Sequence, residues 1–210
     1  MEASLPANEE LLLNSMWMRR ASPAEVKSLL VDGADLTARD KKGQTPLHTA
    51  ARNTNPDIIA CLLDRGADLN ARDETGYTPL QIAVKYNNIA EDNNDIVALF
   101  LNHGADPNVR DKEGRTPLHV AAWLKTNPAV VALLLNHGAD TSLRDNEGNL
   151  PVDLAQYNKA LKGTDAFQRL HQPPHESALR DLDNLTEDEQ QETPGFWRRA
   201  YAWLSRRLGA

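Results

Sequence analysis

Residues 104–122 read GADPNVRDKEGRTPLHVAA, and three markers inside this stretch recur along the chain. The markers are Gly-Ala-Asp, Asp-x-x-Gly and Thr-Pro-Leu, and they keep one order and one phase. Gly-Ala-Asp returns at intervals of 33, 38 and 34 residues, beginning at Gly33, Gly66, Gly104 and Gly138. Because a period of about 20–50 residues is the signature of a solenoid, these markers predict a stack of similar units.

Each unit combines a turn with two helices. In Asp-x-x-Gly the glycine permits a positive φ and the aspartate accepts backbone hydrogen bonds. Thr-Pro is a helix start, since threonine caps the helix and proline lacks an amide that would have no partner. Small residues such as Ala50 and Ala51 follow, and a second helix carries larger apolar residues such as Ile58, Ile59 and Leu62. The glycines that come just after these second helices are expected to end them in a left-handed conformation.

The segments TPLHTA at 45–50 and TPLHVA at 116–121 resemble the signature of the ankyrin repeat, whose unit is about 33 residues long. The segments GADLN at 66–70 and GADPN at 104–108 match the end of that repeat. This resemblance implies an all-α solenoid of stacked helix pairs with projecting β-hairpin loops. It also implies protein–protein binding through the hairpin tips and the inner helices.

The array is predicted to occupy residues 1–156 as about five units, with a degenerate first and last unit. Ser22 to Glu25 has the pattern of a capping box at the start of a helix in the first unit. The third unit is longer than the second, and its extra residues fall between its two helices, around Tyr86 to Asp95. The last unit has lost Thr-Pro-Leu, as expected of a unit with one face toward water.

Charge and cysteine content restrict the function classes. The 23 Lys and Arg residues against 30 Asp and Glu give a net charge of −7. We expect no nucleic-acid partner, because such partners need clustered positive charge. The single cysteine, Cys61, excludes an intramolecular disulfide, and its apolar helix face predicts a small buried hydrophobe. Without a signal peptide or a transmembrane pattern, the sequence predicts a cytoplasmic protein.

Six histidines raise the question of a metal site or a catalytic site. His48 and His119 occupy the same repeat position, where the ankyrin family uses the imidazole to hydrogen-bond neighbouring loops. Gln81 replaces the histidine in the third unit, which suits a hydrogen-bonding role and not a ligand set. We therefore predict no catalytic residue, no metal ligand and no cofactor. An enzyme remains as an alternative only if a ligand site lies in the lengthened third unit.

Partner binding is predicted at positions that vary between units while the frame stays fixed. On the loop tips and inner helices these positions are Lys41, Lys42, Arg52, Tyr77, Lys85, Tyr86, Arg115 and Trp123. The three aromatics fall where the repeat frame faces solvent, and exposed aromatics are typical of interface hot spots. Alternatively, Tyr86 and Trp123 close gaps beside the long third unit. The cations toward one end suit a partner with acidic and apolar groups.

The chain continues beyond the repeat frame in three segments. Residues 157–171 are predicted to form a capping helix on the last unit. Its apolar side would be Ala160, Leu161, Phe167 and Leu170. Residues 172–193 are rich in acidic residues, which predicts a solvated linker.

Residues 194–210 have the pattern of a basic, aromatic amphipathic helix, with four arginines and no acidic residue. Its predicted contact residues are Phe196, Trp197, Arg198, Arg199, Tyr201, Trp203 and Leu204. Three fates stay open for this helix: folding back on the stack, docking in a partner groove, or lying on an anionic membrane. The leading hypothesis is a non-enzymatic protein-binding scaffold or adaptor. The alternative is a membrane-peripheral protein or host-directed bacterial effector tethered by this helix.

Overall fold

The computed structural model describes residues 20–52, 55–86, 94–124 and 127–171. Short α-helices dominate these ranges, and no strand lies in them. The helices are α1 Pro23–Val31, α2 Pro46–Ala50, α3 Pro56–Asp64, α4 Pro79–Tyr86, α5 Asn94–Asn102, α6 Pro117–Trp123, α7 Pro128–Asn136, α8 Pro151–Ala155 and α9 Asp165–Leu170. The loops that the resemblance described as β-hairpins are hydrogen-bonded turns here.

The helices form two layers. The inner layer contains α2, α4, α6 and α8, and each contacts the next in that order. The outer layer contains α1, α3, α5, α7 and α9, again with each helix against the next. Every inner helix also contacts the outer helix that follows it in sequence. The expected solenoid of helix pairs is therefore confirmed.

Helix boundaries follow the signals in the sequence. The N–H of Glu25 donates to Ser22 Oγ at 3.2 Å, and the N–H of Ser22 donates to Glu25 Oε2 at 2.6 Å, which is the predicted capping box. The glycines after three outer helices, Gly66, Gly104 and Gly138, have φ values of 84°, 88° and 83°. Their left-handed conformation lets the last carbonyls of each helix accept backbone hydrogen bonds, and it turns the chain toward the next loop.

The core lies between the two layers as one continuous cluster. Small buried side chains from the inner layer, such as Ala121 and Ala122, let neighbouring helices approach closely. Larger buried side chains such as Leu62 and Phe100 come from the outer layer. Each of these larger residues contributes about 1.5–3 kcal/mol when fully buried. Cys61 is buried in the same cluster, as predicted.

The aspartate of each Asp-x-x-Gly marker closes its loop. Asp73 Oδ1 accepts the backbone N–H of Thr75 at 2.8 Å and of Tyr77 at 3.0 Å. Asp40 and Asp145 accept the corresponding amides two and four residues ahead. Burial alone would raise the pKa of Asp73, but hydrogen bonds from neighbouring residues outweigh it and hold that pKa below the ordinary value. The loop at Asp73 is therefore closed most firmly when this carboxylate is ionised.

A row of arginines joins successive loops, and the sequence analysis did not predict it. Arg39 Nη1 donates to the carbonyl of Arg72 at 2.8 Å. Arg72 Nη1 donates to the carbonyl of Arg110, and Arg110 Nη2 to that of Arg144, both at 2.6 Å. These four arginines recur with the same intervals as the Gly-Ala-Asp marker. Their repeat phase was the signal that could have identified them.

The predicted capping helix over 157–171 is shorter in the structure. The chain first makes turns, and α9 occupies only Asp165–Leu170. The expected apolar residues divide into buried Leu161 and Leu170, half-buried Phe167 and exposed Ala160. Buried Asn158 accounts for the turns, because its Nδ2 donates to the carbonyls of Ala122 and Leu124 in the preceding unit.

The chain divides into two units, residues 1–170 and residues 171–210. Only His171 of the second unit lies in the described ranges. The predicted acidic linker and amphipathic helix therefore fall outside the described residues. Within the described ranges, no helix has both the length and the apolar character needed to cross a bilayer.

The loop-to-loop contacts predict different costs for two glycine substitutions. Gly76 has a φ of 81°, and an added Cβ would lie 2.9 Å from the backbone nitrogen of Lys112. Gly66 has a φ of 84°, but its Cβ would meet no described atom within 4 Å. We expect Gly66→Ala to cost about 1–2 kcal/mol of unfolding free energy through the left-handed conformation alone. Gly76→Ala should cost about 1–3 kcal/mol more, because neighbouring loops must move apart.

Urea unfolding followed by circular dichroism measures both costs. Gly66→Ala is the matched control, since it shares the positive φ and lacks the close contact. Equal costs for the two variants would show that the tight approach of the loops does not stabilise the array.

Candidate functional site

Four of the eight predicted contact residues meet in one groove. Tyr77, Lys85, Arg115 and Trp123 line a cavity of about 240 Å³. Its other lining residues are Thr75, Glu113, Val120 and Leu124. We call this cavity the central groove; its walls are the loops before α4 and α6 and the ends of those two inner helices. Pockets for drug-sized molecules occupy about 300–1,000 Å³, so the central groove suits an inserted side chain.

Tyr77 forms the floor of the central groove and is not a solvent-facing residue. Its side chain is only 7% exposed, so the expectation of an exposed aromatic here was wrong. Lys85 Nζ lies 4.8 Å from the ring centroid, and the Arg115 guanidinium carbon lies 5.9 Å from it. The Tyr77 hydroxyl also accepts a hydrogen bond from Arg115 Nη2 at 3.2 Å. Burial raises the pKa of Tyr77, which keeps the hydroxyl neutral.

The two cations of the central groove differ in how well they are neutralised. Arg115 Nε contacts Asp111 Oδ2 at 2.9 Å, and its Nη2 contacts Glu113 Oε2 at 2.9 Å. Burial alone would lower the pKa of Arg115, but the hydrogen bond to Asp111 outweighs it. Lys85 is exposed, and it forms no ion pair with a carboxylate of the described residues.

Arg52 and Tyr86 form a separate pair. The Arg52 guanidinium carbon lies 4.8 Å from the Tyr86 ring centroid. Tyr86 is half-buried and packs against the core, as the gap-filling alternative expected. Arg52 Nε is buried and has no hydrogen-bond partner among the described residues. Trp123 differs from Tyr86, because 56% of its surface is exposed.

Lys41 and Lys42 are exposed at the tip of the loop before α2. They do not line the central groove. The backbone carbonyl of Lys42 accepts the N–H of Glu74 at 2.9 Å, which places this tip against the next loop. The structure therefore puts the two lysines in the same line of loop tips as the groove residues, one loop before Tyr77.

Tyr157 is an exposed aromatic that the sequence analysis missed. It occupies the same position in the fifth unit as Trp123 in the fourth, and 76% of its surface is exposed. The corresponding residues of the second and third units are Arg52 and Lys85. We call these four residues the inner row, since each lies within two residues of the end of an inner helix. Counting seven residues from each helix cap was the signal that could have found Tyr157.

The repeated histidine joins neighbouring units. His48 Nε2 lies 3.0 Å from the carbonyl oxygen of Tyr77, so this nitrogen must carry the proton and donate it. Nδ1 is then an acceptor, and it receives the backbone N–H of Thr45 at 3.2 Å. His48 is fully buried. Burial lowers its pKa, although the Tyr77 carbonyl and nearby carboxylates oppose the shift.

The third and fourth units repeat this arrangement. Gln81 Nε2 donates to the carbonyl of Arg115 at 2.9 Å, and Gln81 Oε1 accepts the N–H of Thr78 at 3.0 Å. His119 contacts the carbonyl of Asn149 at 3.1 Å, and burial lowers its pKa as well. The predicted hydrogen-bonding role of these side chains is confirmed. In the described ranges, no group of three His, Cys, Asp or Glu side chains is placed to hold a metal ion.

Comparison with protein families identifies the repeat. The family model described as Ankyrin repeats (3 copies) matches residues 18–111, and the one described as Ankyrin repeats (many copies) matches residues 100–155. The chain belongs to the ankyrin-repeat family. Ankyrin repeats are in general protein–protein interaction modules. No curated protein sequence matches the chain significantly.

The ankyrin match ends at residue 155 and does not include the predicted contact residues of the C-terminal tail. These contacts are Phe196, Trp197, Arg198, Arg199, Tyr201, Trp203 and Leu204, and all lie outside the described residues.

The histidine bonds of the ankyrin stack predict a pH dependence of stability. The imidazole pKa is about 6.5 in an unfolded chain and is lowered in the folded protein at His48 and His119. At a pH between the folded and the unfolded imidazole pKa, the unfolded chain binds more protons than the folded protein. The contribution of these histidines to the unfolding free energy is therefore complete above about pH 6.5 and is lost as the pH falls below it. Protonation would also turn the Nδ1 acceptor into a donor that faces an N–H group.

A double variant, His48→Gln and His119→Gln, isolates this effect because Gln81 already makes both hydrogen bonds in the third unit. Thermal unfolding at about pH 7.5 and about pH 5 should show a smaller loss of stability on acidification in the double variant than in the unchanged protein. The other four histidines are present in both proteins, so their effect on the pH dependence is the same in each and cancels in the comparison. Identical pH dependence would contradict the assigned role.

Proposed function

We propose that this ankyrin-repeat protein is a non-enzymatic scaffold or adaptor that holds a protein partner at the central groove. The observation that carries the proposal is the convergence of loop and helix residues from two consecutive units on one cavity. Exposed Trp123 and the exposed cation Lys85 both line this cavity. Large aromatics next to cations are typical of the few residues that supply most binding energy at protein interfaces.

The side chains of the central groove are also largely ordered before a partner binds. Tyr77 is already fixed under Lys85 and Arg115, and Arg115 is held by two carboxylates. Association costs are lower when contact groups are ordered beforehand, because fewer side chains must be immobilised. A partner side chain that covers Trp123 would remove its exposed apolar surface from water, which is favourable by about 25 cal/mol per Å².

We further propose that the protein acts in the cytoplasm. The support is its lone cysteine, Cys61, which is buried as a free thiol. A reducing compartment keeps such thiols unpaired.

Substitution of Trp123 tests the proposed binding site. Affinity capture of the intact chain followed by mass spectrometry should recover a partner that Trp123→Ala no longer retains. We expect a loss of about tenfold to a hundredfold in affinity, since hot-spot truncations cost about 2 kcal/mol or more. Because Trp123 is largely exposed, the variant should keep its thermal unfolding midpoint within a few degrees.

Val31→Ala is the control, as Val31 is 71% exposed on outer helix α1, in the other layer from the groove. This variant should retain every partner. Retention of the same partners by Trp123→Ala at unchanged affinity would refute the proposal.

A further inference from the structure

We infer that the inner row recognises a partner segment made of an acidic block next to an apolar block, with the acidic block against the second and third units. The inference rests on the proposed function, since it specifies the chemistry of the partner held at the central groove. It follows from the order of residues along the stack, which neither the family nor the groove alone determines.

The inner row changes character at the middle of the array. Arg52 and Lys85 are cations in the second and third units, and Trp123 and Tyr157 are exposed aromatics in the fourth and fifth. The inner helices contact one another in this order, so the row runs along the stack from cations to aromatics. Neither cation is paired with a carboxylate of the described ranges. A segment laid along the row would therefore meet two positive charges and then two apolar surfaces.

The loop tips repeat this polarity. Two residues after the closing aspartate, the successive loops carry Lys42, Thr75, Glu113 and Glu147. The cation lies at the end of the stack that holds Arg52, and the two carboxylates lie at the end that holds the aromatics. An acidic block is attracted to the first end and repelled by Glu147 at the second, because like charges across an interface oppose binding. Glu113 adds little to this repulsion, since Arg115 neutralises it. The two lines of residues thus favour the same placement of the partner segment.

The spacing of the row fits an extended polypeptide. Packed helices lie about 8–10 Å apart, and an extended chain advances about 3.3 Å per residue. One unit therefore corresponds to about three residues of the partner, and the four row positions span about ten residues. The central groove, of about 240 Å³, has room for an inserted apolar side chain at Trp123. A helix about 10–12 Å in diameter does not enter a cavity of that size.

Two synthetic peptides of identical composition test the inference on the intact protein. The block peptide carries two glutamates and then two leucines, each separated by two serines. The interleaved peptide alternates glutamate and leucine at the same spacing. Because the groove fixes the order of blocks and not the direction of the bound chain, an interleaved peptide is a better control than a reversed one. Fluorescence anisotropy should show about tenfold tighter binding of the block peptide.

A charge reversal locates the acidic block. Lys85→Glu should weaken the block peptide about tenfold and strengthen a peptide in which lysines replace the glutamates. Lys27→Glu changes the net charge equally, and Lys27 is exposed on α1 in the outer layer. It should leave both affinities unchanged. Circular dichroism of both variants establishes that they fold alike.

Failure of the block peptide to bind, equal affinity for the block and interleaved peptides, or equal effects of the two lysine variants would overturn the inference. The proposed function is judged separately by partner capture with Trp123→Ala. If that variant loses the partner while the two peptides bind equally well, the groove binds a protein but does not select for the order of acidic and apolar blocks. If the variant keeps the partner, the proposed function fails together with the inference.

Discussion

The array depends on one hydrogen bond that crosses from each of the inner helices α2, α4 and α6 to the next loop. His48, Gln81 and His119 each accept the N–H of the threonine just before their own helix. Each also contacts a backbone carbonyl in the loop that precedes the next inner helix. A solenoid has no contacts between distant parts of the chain, so its stability is the sum of units and nearest-neighbour interfaces. The bond lies at the three interfaces between the second and fifth units, in buried or partly buried sites where an unmade hydrogen bond costs about 1–3 kcal/mol. It places each helix relative to the following loop and so keeps all loops in one register.

The same residues serve this frame and the groove through different atoms. The carbonyl of Tyr77 receives the bond from His48, while its ring is the floor of the central groove. The carbonyl of Arg115 receives the bond from Gln81, while its guanidinium lines the wall. Because every residue has the same backbone carbonyl, the side chain at this position is free to differ between units. A stable frame and a varied binding surface are therefore compatible at one position of the repeat.

Sequence alone predicted the features that short patterns determine. The capping box at Ser22 and the left-handed glycines follow from groups within a few residues of one another. The bond from His48 to the neighbouring loop spans 29 residues, and its prediction came from the resemblance to the ankyrin repeat. The burial of Tyr77 was not predicted, because its ring is covered by Lys85 of the same unit and Arg115 of the next unit, which only the tertiary packing brings to it. Tyr157 was missed because the fifth unit has lost Thr-Pro-Leu, so the phase was not extended to its end. The turns before α9 depend on Asn158 reaching back to the preceding unit, a contact that helical periodicity does not show.

The fifth unit differs from the others at the position that carries the connecting bond. Asp153 Oδ2 accepts the N–H of Leu150 at 2.8 Å, as the histidines and glutamine do in their own helices. An ionised carboxylate has no hydrogen to donate, so this residue has no means of engaging a further loop. Asp153 therefore ends the series of connecting bonds. An engineer who wished to graft a further unit onto the array would first have to replace it with a residue that can donate a hydrogen bond.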